Sequence, residues 1–150
     1  MGVDRKLFKS RKDLLLGIVI WVPLLALLVT VVTELFNTNQ AWNGRVFGLL
    51  VMSVTIGFIG WMWFGTHYTI DHSFVYYRSG PFRGKIAVSS IREVVIGETM
   101  WSGFRPATAR RGLILKYNRY DEIYFSPDSN VAFVGALQKV NPEIRITEVK

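Results

Sequence analysis

The sequence predicts a membrane-anchored α+β protein: two transmembrane helices, then a β-rich head of about six to seven strands capped by a C-terminal helix. Three observations predict it. Two apolar runs without a charged residue, Leu14 to Thr33 and Val46 to Gly65, are each twenty residues long. At a rise of about 1.5 Å per residue, twenty helical residues span about 30 Å, the thickness of a bilayer's hydrocarbon. From Thr66 the apolar pattern changes to a period of two, and after Ser126 it returns to a helical period once more.

The N-terminal segment, residues 1–13, is basic. Arg5, Lys6, Lys9, Arg11 and Lys12 stand just ahead of the first apolar run, and such charge retains an N-terminus in the cytoplasm. Fourteen of the twenty residues from Leu14 to Thr33 are Leu, Ile or Val. At about 0.45 kcal/mol each they favour insertion by up to about 6 kcal/mol. Pro23 removes one backbone donor within the run and predicts a bend between Val19 and Pro23. A secretory signal peptide begins in the same way, but its apolar region has about 7 to 15 residues and ends at a small-x-small site; here TVVTELFNTNQAW follows.

The two spans, about residues 14–34 and 46–65, are joined by a short polar loop, residues 35–45, so they are antiparallel neighbours within one hairpin, residues 14–65. Gly44 and Gly48, and Ser53 and Gly57, are spaced four apart, which suits close approach of a second helix, within the hairpin or from another copy. Trp61, Trp63, Phe64 and Tyr68 form an aromatic cluster where the second span leaves the bilayer, a position that amphipathic rings favour.

Residues 66–150 form the predicted cytoplasmic head. HYTID, SFVYYR, GKIAVS and Ile91 to Ile96 read as strands, and GLILKYN with EIYFS as a hairpin turning at Arg119 and Tyr120. Between them Gly97 to Arg111 is a long loop. Ser126-Pro127-Asp128 reads as a helix start, with Ser126 as cap, Pro127 at the first helical position and Asp128 on the positive end of the helix dipole. Phe133, Ala136, Leu137 and Val140 then make an apolar stripe for a sheet, and Asn141-Pro142 ends the helix. Ile144 to Thr147 is a short edge strand.

Charge separates the chain from several function classes. The net charge of +7 is split between the two ends, with a nearly neutral middle, which is the pattern of a membrane protein and not the continuous basic face of a nucleic-acid binder. The chain has no cysteine, hence no disulfide, thiolate nucleophile or Cys-based zinc site. His67 and His72 lack a third recognisable ligand. Asp121 and Glu122 are adjacent and point to opposite faces of a strand. There is no nucleophile elbow, phosphate-cradling loop or dinucleotide fingerprint. The chain is therefore expected to be no enzyme and to need no cofactor or metal.

Two groups remain as candidates for the membrane interface or a partner. Arg78, Arg83 and Lys85 near the second turn, with Arg105, Arg110 and Arg111 in the long loop, attract anionic headgroups or form a solvated rim. Met100, Trp101 and Phe104 either cap the sheet or, if exposed, dip into the interface or grip a peptide.

Trp63-Phe64-x-Thr66-x-Tyr68-x-Ile70, Arg78-Ser79-Gly80-Pro81-Phe82, the Ile86 to Ile91 stretch with its paired serines, and Ser126-Pro127 followed by Phe133, Leu137 and Asn141-Pro142 occur in this order. Over residues 61–144 the chain thereby resembles bacterial pleckstrin-homology-like domains on a two-helix membrane anchor, a group similar to self-immunity proteins against sublancin-type bacteriocins. The resemblance implies a PH-like sandwich or barrel. It also implies a non-catalytic binding or scaffold module on the cytoplasmic face, engaging a protein or peptide. Immunity to an antimicrobial peptide and sensing of anionic lipid headgroups are the other roles it implies. Headgroup-binding relatives place lysine and arginine around the first hairpin, where this chain has Asp71-His72-Ser73. In the long loop it has Arg105-Pro106-Ala107 where relatives commonly carry Ser-Pro-Ala.

Overall fold

The computed structural model describes residues 5–36, 42–100 and 103–149. Its first element is a strand inside the basic leader, which local periodicity does not mark: β1, Lys6–Lys9, with Phe8 buried and its neighbours exposed. The long helices α1, Leu14–Phe36, and α2, Trp42–Phe64, follow, each long and apolar enough to cross a membrane. Pro23 lies inside α1, and the helix continues through it to Phe36. Helix α1 extends two residues past the expected span, and α2 begins four residues ahead of it.

The remaining elements are β2 His67–Ile70, β3 Phe74–Ser79, β4 Phe82–Ala87, a single 3₁₀ turn at Val88–Ser90, β5 Ile91–Ile96, β6 Leu113–Tyr117, β7 Asp121–Phe125, α3 Asn130–Val140 and β8 Arg145–Glu148. They make two four-stranded sheets, ordered β1-β2-β3-β4 and β7-β6-β5-β8. Seven strands follow the helices, within the expected six to seven; β1, ahead of them, brings the total among the described residues to eight, and the sheets do not close into a barrel. Strand β8, expected as an edge strand, pairs in parallel with β5.

Alternation explains the core. Phe8, Tyr68, Ile70, Val75 and Ile86 point inward from the first sheet, and Val94, Leu113, Leu115, Ile123 and Phe125 from the second. Helix α3 inserts Phe133 and Leu137 between them, with the Phe133 ring edge-on to Phe8 at 5.1 Å. Its cap is Ser129, whose Oγ accepts from the Ala132 amide at 3.2 Å. The cap is therefore not Ser126, the residue the local sequence favours, which is fully buried three residues earlier.

The second sheet is covered on its outer face as well. Val95, Ile114 and Tyr124 there form a second apolar cluster with Met100 and Ala107, so the long loop between β5 and β6 is the lid of that sheet. This is why β6 reads as a continuous apolar run instead of an alternating one.

Candidate functional site

Where the helices join the head, no linker intervenes. Strand β1 ends four residues before α1 becomes helical, and β2 begins two residues after α2 stops. Because β1 and β2 pair antiparallel, Lys9 opposite His67, the two helices leave the head from one end. The turn from β3 to β4 lies against the same junction. Gly80 has φ +57°, and a Cβ there would stand 3.0 Å from Met62 Cγ and 3.2 Å from Met62 Cα.

The junction is locked by a buried hydroxyl cluster drawn from four separate segments. The Tyr68 hydroxyl donates to the Pro106 carbonyl at 2.6 Å and accepts from the Ser126 amide at 3.1 Å. Ser10 Oγ lies 2.9 Å from both Thr108 Oγ1 and Ser126 Oγ, and Thr108 Oγ1 donates to the Arg11 carbonyl at 2.7 Å. Backbone bonds from Arg11 to Ser126 and from Asp13 to Thr108 complete the tie. Burial pushes the Tyr68 phenol above its ordinary pKa, so it remains a donor. A second tyrosine does the same for the loop: Tyr124 Oη donates to the Ala109 carbonyl and accepts from the Gly112 amide.

Asp13 joins the head to the first helix. Its Oδ1 accepts from the Leu15 amide at 2.9 Å as the cap of α1, while Oδ2 accepts from Arg110 Nε at 2.8 Å. The Arg110 hydrogen bond foremost, with the Leu15 amide next, holds the Asp13 carboxyl below the usual carboxylate range.

The twelve residues singled out in the sequence divide sharply. Trp61 is half exposed on the last turn of α2, whereas Trp63 is buried against Gly17 of α1, and Tyr68 is a core residue with no exposure at all. Tyr68 is therefore not an interface aromatic: alternation in β2 sends it inward. Met100 is buried beneath the loop, while Phe104 is 46% exposed and touches the rings of Tyr77 and Phe82 at 5.8 and 6.2 Å. Trp101 lies outside the described residues. Arg78, Arg83 and Lys85 project from the outer face of the first sheet. Arg105 lies over the Tyr124 ring at 5.1 Å, Arg110 is paired with Asp13, and Arg111 is exposed with φ +51°.

Sequence reasoning missed Lys9 and Lys12 as site residues. Lys12 Nζ sits 4.0 Å from the centroid of the Phe64 ring, a cation–π contact at the helix exit. His67 projects outward beside Lys9, opposite in direction to Tyr68 and Ile70, and its Nδ1 is 3.2 Å from the Gly65 carbonyl. Strand alternation places His67, but only pairing reveals its neighbours. Among the described residues no three His, Cys, Asp or Glu side chains gather as a metal site.

Comparison with known proteins agrees with this architecture. The family model described as "Bacterial PH domain" matches residues 66–141. The "Uncharacterized protein YyaB" of Bacillus subtilis (strain 168) is 21% identical over 140 residues, which is 93% of this chain and 95% of that protein, so the likeness includes the helices as well as the head. No solved structure matches the chain significantly.

Proposed function

We propose, from the premise that this chain belongs to the bacterial PH domain family, that it is a non-catalytic binding or scaffold module held on the cytoplasmic face of the cell membrane by its helical hairpin. One observation carries this reading: β1 and β2, the strands on either side of the helix pair, are neighbours in one sheet. Whatever the helices traverse, residues before α1 and after α2 must stand on the same side of it. The five cations of the N-terminal segment choose the cytoplasm as that side. Exposed Leu, Ile, Val and Phe side chains along both helices supply the surface that lipid would cover.

The ligand of such a module is a protein or peptide, taken at an open sheet edge. Strand β4 ends the first sheet and β7 the second; the Tyr124 amide on β7 already donates to the Phe104 carbonyl, so of these two edges β4 is the one placed to receive another strand.

Because the chain has no cysteine, single cysteines test the topology directly. Asn43→Cys, at the start of α2, should react with a membrane-impermeant maleimide in intact cells, and Glu122→Cys in the head should react only after lysis. Labelling of Glu122→Cys from outside would reverse the orientation. Photocrosslinking from position 85 on β4 should give a discrete protein adduct that is absent when the probe is at position 131 on α3. Equal adducts from both positions would remove the edge as the binding surface.

A further inference from the structure

On β4 the same two residues offer both free backbone groups and outward charge. The Val88 amide donates to the Ser73 carbonyl at 2.9 Å, one step beyond the Phe74–Ala87 pair, and hydrogen-bonded pairs of an antiparallel ladder recur at every second position. They therefore fall at Val75–Ile86, Tyr77–Gly84 and Ser79–Phe82, which turns the amides and carbonyls of Arg83 and Lys85 away from β3 and towards the open edge. Alternation puts the side chains of Arg83 and Lys85 together on the outer face. Both are exposed, and among the described residues neither forms an ion pair with a carboxylate. A hollow of about 360 Å³ beside them, reaching Tyr76 and Arg78, is lined by no acid.

The two sheets arrange charge in opposite ways. Across the second, register aligns Arg145, Glu93, Lys116 and Glu122, a row that alternates in sign, with Lys116 Nζ 3.3 Å from Glu93 Oε2. Across the first it aligns Lys9, His67, Arg78 and Arg83, with two guanidinium groups directly opposite one another and no carboxylate. Like charges so placed oppose folding, whereas opposite charges across a strand pair favour it. The row stops at β4, so the strand that could answer it is the next one added. A second copy of β4 would bring only further cations, which disfavours self-pairing at this edge. Cations alone would merely guard such an edge; the inner side of β4 argues for a partner. There Phe82 is 47% and Phe104 46% exposed, their ring centroids 6.2 Å apart, and the Tyr77 ring lies across Gly84, where a Cβ would collide with its hydroxyl.

We infer that β4 receives a strand of a protein partner in which acidic residues alternate with apolar ones. Two carboxylates of that strand, separated by one residue, stand opposite Arg83 and Lys85 on the outer face and continue the row with the sign it lacks. The apolar residue between them, opposite Gly84, turns to the inner side and packs on the rings of Tyr77, Phe82 and Phe104. The outward amides and carbonyls of Arg83 and Lys85 fix the register, and the alternation supplies the specificity. The inference rests on the reading of β4 as the binding edge given above.

The test uses the full chain in neutral detergent micelles and three capped eight-residue peptides: glutamate and valine alternating, lysine and valine alternating, and four glutamates followed by four valines. Hydrogen exchange of the Arg83 and Lys85 amides is followed by NMR. The alternating glutamate peptide should slow exchange at both amides saturably, and should bind at least about tenfold more tightly than either other peptide. At about two- to fivefold per cross-strand charge pair, R83Q/K85Q should weaken it about 4- to 25-fold. Phe104→Ser should weaken it about two- to fivefold, and K139Q, exposed on α3, less than about twofold. R83E/K85E should reverse the preference and bind the alternating lysine peptide, a gain that misfolding could not produce. Equal protection by the two alternating peptides would overturn the inference and leave the edge reading standing, as would equal binding of the block peptide or an unreversed preference in R83E/K85E. Protection by none of the three would also overturn it, and crosslinking from position 85 then decides the edge reading by itself.

Discussion

Tyr68 shows how far a single side chain's role depends on the direction it points. Its ring packs 4.6 Å from that of Phe125, and its hydroxyl serves the Pro106 carbonyl and the Ser126 amide in a site without exposure. Tyr68→Phe preserves the ring and strands both partners, which should lower unfolding stability by about 1–3 kcal/mol in denaturant titration. Asp13 gives a prediction in pH. Its carboxyl is held below the usual range when folded, so the stability it contributes is complete above the ordinary carboxylate pKa and is lost as pH falls through the lowered one. The unfolding midpoint should therefore drop on acidification through that interval. Asp13→Asn and Arg110→Gln should each flatten the drop, and an unchanged acid limb in both would dismiss the pair.

Among the elements, β1 and the β3–β4 turn bear most on how head and helices are joined. Phe8→Ala opens a cavity against Phe133 and should cost about 3–5 kcal/mol, whereas Leu7→Ala, one residue away on the outer face, should stay within about 0.5 kcal/mol in the same unfolding assay. Gly80→Ala meets a left-handed backbone and Met62 together, and should destabilise the turn by at least about 1–2 kcal/mol, seen as faster tryptic cleavage at Arg78 and Arg83. The helix pair discriminates among its glycines. A Cβ at Gly17 would be 3.6 Å from the Trp63 ring and one at Gly60 3.8 Å from Trp21, so these glycines mark the close approach within the hairpin. Gly57 faces open space, and Gly44 and Gly48 line a hollow of about 200 Å³ near Glu34 and Arg45. Both Gly57→Leu and Gly17→Leu should insert, since Leu favours the bilayer, but Gly17→Leu should lower the thermal unfolding temperature in detergent while Gly57→Leu leaves it unchanged.

In the molecule as a whole, the head is discontinuous in sequence. Residues 65–149 lack Phe8 and Ser10, and with them one strand of the first sheet and part of the hydroxyl cluster. That segment alone should show no cooperative thermal transition by near-ultraviolet circular dichroism. A splice that joins residues 5–13 to 65–149 through a short glycine-serine linker should restore one. If both fragments melt alike, β1 is dispensable.

Hydropathy along the chain established the two apolar spans, their tight hairpin and the change to a period of two at Thr66, because each signal is written within a window of about twenty residues. The same window identified the stripe of Phe133 and Leu137 and the stop at Asn141. It could not find β1, since four residues with one inward Phe resemble any basic leader until β2 lies beside them. Nor could it tell that Ser126 bonds Ser10, 116 residues away, instead of capping a helix. The cationic row has the same origin: Lys9, His67, Arg78 and Arg83 are unremarkable in their own segments and come into line only through strand register, a long-range property that local periodicity does not encode.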